Sequence, residues 1–204
     1  MKYSILIIVV ILLVIGYVVL VQEEETIPHS EQVATVTQEE DISGTYVINH
    51  RQSRVEWSGA RLVGTSHTGT IPIRQTIVVF GENDSGNIIF DMGELTSDTP
   101  GLTSHLKSGD FFDVASFPEA TFIVRGYDAG MLSGELVIKG IPQYMEIPVS
   151  VISSESGLVL EGETLFDRTM FGITYDSGSF FKELGERAIG DEVEVTFSLV
   201  LEEM

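Results

Sequence analysis

The sequence predicts an all-β domain from Gly44 onward, and three observations lead to this prediction. The chain breaks into short runs of β-branched and aromatic residues, separated by Gly and Asn-Asp turn signals. The last run alternates apolar with polar residues, which places Val193, Val195, Phe197 and Leu199 on one face. Strands with one dry face are typical of antiparallel sheets, and about eight to ten of them in roughly 160 residues indicate a closed barrel or a sandwich.

Ten segments are predicted as strands in chain order. They are YVINH, SRVEWSG, TGTIPI, QTIVVFG, NIIFDM, ATFIVRG, GELVIKG, YMEIPVSVI, GLVLEGETLF and EVEVTFSLVLEE. Two further segments have a helical pattern, PGLTSHLKSG and SGSFFKELGER. The sequence therefore predicts a β domain with one or two short helices.

The N-terminus predicts a membrane anchor and a tether. Residues 5–21 are apolar and uncharged, and a helix over residues 1–22 is long enough to cross a bilayer. Lys2 precedes this run and three glutamates follow it, so the positive-inside rule places the N-terminus in the cytoplasm and the domain outside. A cleaved signal peptide is the alternative, but the run exceeds the usual length and no small-x-small site follows. Residues 23–43 carry seven acids and no base, which predicts a flexible acidic tether.

The composition excludes several classes of function. With 31 acids against 11 bases the net charge is −20, which disfavours a nucleic-acid partner. The chain has no cysteine, so it contains no disulfide, no thiol nucleophile and no cysteine-ligated zinc. It also lacks the glycine-lysine loop of nucleotide-binding proteins and the G-x-S-x-G elbow of hydrolases. No catalytic residue is predicted.

The segments VEWSG, GTSHTGTI, IIFDMGELTSD, HLKSGDFFDVASFPEATF, GELVIKGI and FDRTMFGITY together resemble the YceI-like family. The resemblance covers roughly residues 44–201, and HLKSGDFFDVASFPEATF is its most specific part. It implies a lipocalin-like, extracytoplasmic barrel of about eight antiparallel strands that encloses an apolar tunnel and binds polyisoprenoids. The expected ligand is an isoprenoid lipid, an isoprenoid quinone or another long-chain apolar molecule, and no cofactor is implied.

The large apolar residues of the domain are the candidate wall or mouth of this tunnel: Trp57, Phe80, Phe90, Phe111, Phe112, Phe122, Phe166 and Phe171. A solid core would use the same residues. Phe111 and Phe112 in particular either line the tunnel or plug one barrel end, with Asp110 capping the turn before them. A packed interaction or structural module without a lipid is therefore the alternative function.

Four polar residues are candidate contacts for a ligand head group: His67, His105, Lys107 and Arg168. No His-x-His or His-x₃-His spacing occurs, so a metal site is not predicted. The resulting expectation is a non-enzymatic domain that binds, sequesters or carries an isoprenoid at the outer face of the membrane. Whether the domain forms a homodimer stays open.

Overall fold

A computed structural model describes residues 42–154 and 157–204 of the chain. These residues form ten strands: β1 (Gly44–Ile48), β2 (Arg54–Ala60), β3 (Ser66–Thr70), β4 (Ile77–Phe80), β5 (Ser85–Asp91), β6 (Glu119–Asp128), β7 (Met131–Ile138), β8 (Ile141–Ser154), β9 (Gly157–Asp167) and β10 (Glu192–Glu203). Helix α1 (Pro100–Leu106) follows β5, and short 3₁₀ segments lie at Met92–Glu94, Arg168–Phe171 and Lys182–Arg187. Each of the ten predicted segments overlaps one strand, and PGLTSHLKSG contains α1. Of SGSFFKELGER only the last six residues are helical, as a 3₁₀ segment interrupted at Gly185.

The sheet closes into a barrel through β10. One edge of β10 pairs with β9, whereas the other edge pairs first with β2 and then, near the C-terminus, with β1. β1 and β2 lie one after the other along the same edge of β10 and so share one position around the barrel, and their partners β4 and β3 share the next position. With β5 to β10 this gives eight positions, all antiparallel. The barrel prediction is confirmed, and the partners of every strand lie within residues 44–203.

Two tight hairpins fix the register of the central strands. Ala129 and Gly130 connect β6 to β7, and Lys139 and Gly140 connect β7 to β8. All four residues have positive φ, between 47° and 79°. Two successive left-handed residues make a type I′ turn, whose twist matches that of the strands it joins. The alternating pattern of the three strands is thereby locked with its apolar face inward.

Buried side chains form two clusters at different heights in the barrel. The first includes Ile42, Tyr46, Ile48 and Phe80, which do not line the cavity described below; we call these four residues the packed end, and the Phe80 ring lies 6.2 Å from that of Tyr46. Because Ile42 is 4% exposed, the chain enters the barrel at this end. The second cluster contains Phe111 and Phe171 together with residues of α1 and the neighbouring loops.

The predicted anchor at residues 1–22 and nearly all of the predicted tether at residues 23–43 lie outside the described residues and stay predictions. Within residues 42–154 and 157–204, no helix has the length and apolar character needed to cross a membrane.

Candidate functional site

The barrel encloses an apolar cavity of about 330 Å³. Its wall is made by inward-facing residues of β2, β5 to β10 and α1, whereas β1 and β4 contribute no lining residue among those described. Trp57, Phe166 and Phe197 face the interior yet are only half-buried, because the cavity beside them is accessible. The principal wall residues are Val55, Trp57, Ile88, Phe90, Phe122, Leu132, Leu136, Met145, Ile147, Phe166, Val193, Val195, Phe197 and Leu199.

Three wall aromatics lie flat over glycines on neighbouring strands. A Cβ added to Gly134 would lie 2.6 Å from Cζ of Phe122, and one added to Gly162 would lie 2.5 Å from Cζ of Phe197. The Trp57 ring likewise covers Gly69, which is its partner in the β2–β3 register. The Nε1 of Trp57 donates a hydrogen bond to Thr96 O at 3.0 Å. Aromatic rings that cover strand glycines lie against the wall rather than across the barrel. The middle of the barrel is thereby left empty.

The cavity opens at the end of the barrel opposite the packed end. Its most exposed lining residues are Ala60 and Arg61, at the end of β2. Half-buried His67, His105 and Tyr175 complete the opening, and they come from β3, α1 and the loop between β9 and β10. We call this opening the mouth. Since each of its sides belongs to a different segment, the mouth exists only in the folded barrel.

Each histidine at the mouth is held by a carboxylate. His67 Nδ1 donates to Asp98 Oδ1 at 2.9 Å, and His105 Nε2 donates to Asp110 Oδ2 at 3.0 Å. The hydrogen bond from His67 lowers the pKa of Asp98. Because a carboxylate only accepts, the second nitrogen of each neutral ring is left as an acceptor. In the neutral form each ring therefore has one nitrogen that can accept a hydrogen bond, and both rings line the mouth.

An aromatic cluster surrounds His105. Its ring meets Phe111 edge-on at 5.1 Å and Tyr175 edge-on at 4.8 Å, and these two rings lie 5.2 Å apart. Phe111 is 5% exposed and lines the cavity beside Phe112. The HLKSGDFFDV stretch thus forms cavity wall close to the mouth. The carboxylate of Asp110, which was predicted to cap the turn, accepts a hydrogen bond from His105.

Arg168 is buried beneath the mouth, and every N–H of its guanidinium has a partner. Nε donates to Gly190 O, Nη1 to Ile173 O and Tyr175 O, and Nη2 to Ile189 O and the Asp191 carboxylate. Burial lowers the pKa of Arg168. Through these hydrogen bonds the Arg168 side chain connects the two ends of the loop between β9 and β10. It lines the cavity, but it has no donor left for a ligand head group.

The carboxyl of Asp191 makes stability depend on pH. Burial raises the pKa of Asp191, but the Ser179 hydroxyl and the charge of Arg168 outweigh burial and lower the pKa overall. The pKa of the Asp191 carboxyl is therefore higher in the unfolded chain than in the folded one. The stability that this carboxylate contributes is present above about pH 4 and is lost as the pH falls further. We expect the urea-measured free energy of unfolding to fall less on acidification in Asp191→Asn than in the parent. Glu192→Gln controls for the removal of one charge, and an identical acid response of Asp191→Asn and the parent would contradict the assignment.

Most of the predicted aromatic residues lie on the cavity: Trp57, Phe90, Phe111, Phe112, Phe122 and Phe166. Phe80 lies instead in the packed end, between the rings of Tyr46 and Tyr127. Phe171 is 1% exposed and packs edge-on behind Phe166 at 5.6 Å, so it supports the wall without facing the cavity. These two placements differ from the sequence prediction.

Of the four predicted polar contacts, some line the cavity and one does not. His67 and His105 line the mouth. Lys107 lies outside the lining, and its Nζ donates to Gly93 O at 2.6 Å, which ties the end of α1 to the turn after β5. Arg61 and Tyr175 also line the mouth, and neither was predicted as a site residue from the sequence. The FGITY segment contained Tyr175, but nothing in its pattern indicated that it faces the cavity.

No group of three histidine, aspartate or glutamate side chains is placed to hold a metal ion in the described part of the chain. The lining is otherwise almost wholly apolar, with Arg61, His67, His105, Thr164, Arg168 and Tyr175 as its main polar members. Such a cavity is suited to holding a slender apolar molecule whose polar end remains near the mouth.

Comparisons with known proteins agree with this architecture. No curated protein sequence matches the chain. The structure is similar to that of BcnA from Burkholderia cenocepacia, with a TM-score of 0.60 and 22% identity, over 74% of this chain and 98% of that one. It is also similar to a polyisoprenoid-binding domain from Saccharophagus degradans, with a TM-score of 0.63 and 14% identity, over 78% of this chain and 98% of that one. At these identities the likeness shows the fold alone.

The sequence itself carries the family assignment. The model of the YceI-like domain matches residues 46–201, which span the barrel from β1 to β10 and include the whole mouth. The resemblance found in the sequence motifs is thereby confirmed, and the chain belongs to the YceI-like family.

Proposed function

We propose that this domain binds an isoprenoid lipid or isoprenoid quinone in its barrel, as a carrier or store and without catalysis. The observation that carries the proposal is the open apolar cavity, whose aromatic wall residues lie flat against the barrel. Each methylene transferred from water to such a wall contributes about 0.8 kcal/mol, so a long tail alone supplies the affinity. The alternative of a fully packed module is disfavoured, because its inward aromatics would fill the barrel.

The mouth suits a head group that donates hydrogen bonds. His67 and His105 each offer one ring nitrogen as an acceptor, while Arg61 provides a cation at the edge. A hydroxyl, as in an isoprenoid alcohol or a reduced quinone, matches the two acceptors. The domain would work outside the cytoplasm beside the bilayer that holds its predicted anchor.

Organic extraction and mass spectrometry of residues 40–204, secreted into a membrane-bearing compartment, test this function. We expect near-stoichiometric isoprenoid or quinone in the extract. Reloading the stripped domain with ubiquinone, its reduced form and a hydrocarbon of the same length then separates the head group from the tail. A folded domain that is empty and takes up none of the three would overturn the proposal.

A further inference from the structure

Four exposed apolar side chains stand beside the mouth. Leu62 and Val63, in the loop between β2 and β3, are 62% and 57% exposed, and Phe180 and Phe181, in the loop between β9 and β10, are 58% and 42% exposed. We call these four residues the rim patch. Scattered exposed apolar residues are ordinary, but four on two adjoining loops require an explanation.

The two loops of the rim patch are held together. Leu62 N donates to Ala188 O at 2.9 Å, and Arg61 Nη1 donates to Arg187 O. A Cβ added to Gly178 would lie 3.4 Å from Leu62 Cδ1, so the second loop passes directly against Leu62. Ser177 O accepts from the amides of both Phe180 and Phe181, which turns this part of the loop back on itself. The patch is therefore one surface built by two segments.

The rim patch is continuous with the cavity. Arg61 pairs with Ile189 in an isolated β-bridge, and both residues line the mouth. Leu62 follows Arg61 directly in the chain, and Tyr175 lines the mouth five residues before Phe180. An apolar ligand that leaves the cavity at this point meets the patch next.

The charge around the patch differs from that of the rest of the domain. Seven of the 31 acids and one of the 11 bases precede Gly44, so residues 44–204 carry a net charge of −14. Arg61, Lys182 and Arg187 flank the patch together with Glu183 and Glu186, and residues 57–66 contain no acid, so the two segments 57–66 and 178–187 carry three bases and two acids. Apolar and aromatic residues with flanking cations are typical of surfaces that lie in the interface of a bilayer. Two copies of so acidic a domain would instead repel each other.

We infer that the rim patch inserts into the interface of a lipid bilayer, which places the mouth against the hydrocarbon from which the ligand is drawn. This inference rests on the proposed lipid-binding function. It supplies a path along which the tail passes between bilayer and cavity without crossing water.

Vesicle flotation of residues 40–204 tests the inference. The vesicles contain phosphatidylcholine with a minor fraction of phosphatidylglycerol, and the variant is Phe180→Ser combined with Phe181→Ser. We expect its partitioning to vesicles to fall at least about tenfold, because two exposed aromatic side chains are lost. Ile152→Ser is the matched control: Ile152 is 52% exposed and lies on β8 near the packed end, so its replacement is expected to leave partitioning unchanged.

Uptake of ubiquinone from detergent micelles, measured on the same proteins, separates this inference from the proposed function. Lower vesicle partitioning with intact uptake supports insertion of the rim patch. Equal partitioning of the double variant and the parent overturns it, even when both take up ubiquinone. A parent protein that dimerises through these residues and does not bind vesicles also overturns the inference. Vesicle binding that depends on the rim patch, without uptake of ubiquinone, supports insertion and contradicts only the proposed function.

Discussion

Replacement of Ala120 by tryptophan is expected to lower the amount of bound ligand at least about tenfold while the barrel still folds. Ala120 is 4% exposed, lines the cavity from β6 and pairs in register with Phe90 on β5. A large ring at this position projects into the space between the aromatic wall residues. Overfilling a packed core costs about 1–3 kcal/mol, and the empty cavity reduces that cost here. Mass spectrometry of the extract, per mole of folded protein, gives the occupancy.

The matched control is Ala115→Trp, which adds the same side chain at an exposed loop position. Its ligand content is expected to equal that of the parent. If Ala120→Trp also retained the full amount of ligand, the molecule would be bound somewhere other than this cavity.

Replacement of Arg168 by methionine is expected to lower the free energy of unfolding by about 3–5 kcal/mol, because it leaves buried partners unsatisfied. Methionine keeps much of the side-chain volume but removes all five donors. Four backbone carbonyls and the Asp191 carboxylate then lose a hydrogen bond. Lysine restores the charge without the planar fork, so we expect most of the loss to remain in Arg168→Lys. Urea denaturation monitored by far-UV circular dichroism measures the change.

Arg125→Met provides the control for the loss of one arginine. Arg125 is exposed on β6 and pairs with Glu135 at 3.3 Å, a surface ion pair whose removal costs about 1 kcal/mol or less. An equally small effect at position 168 would mean that the loop between β9 and β10 is held by other contacts.

The strands were predictable from the sequence because an antiparallel strand with one buried face has an apolar side chain at every second residue. The ten predicted segments each contain a strand, and inward residues such as Leu199 and Leu160 follow the alternation. The alternation alone left barrel and sandwich undecided, and the family resemblance was needed to choose the barrel, since closure depends on β10 meeting both β1 and β2. That double pairing leaves no periodic signal.

The candidate site was only partly predictable. Alternation tells which face a residue occupies but not its height in the barrel, so Phe80 and Phe90 looked equivalent although one lies in the packed end and the other on the cavity. The role of Arg168 was hidden for another reason. Nothing in the letter sequence tells whether the donors of an arginine are already used by backbone carbonyls.

The position of Ile42 at the packed end has a consequence for the tether. Twenty residues reach at most about 66 Å, whereas a twelve-residue strand such as β10 is about 40 Å long. The mouth and Ile42 lie at opposite ends of the barrel, so a mouth held against a bilayer puts the chain entry about 40 Å away from it. The predicted tether at residues 23–43 is long enough to cover that distance, and half its length is not.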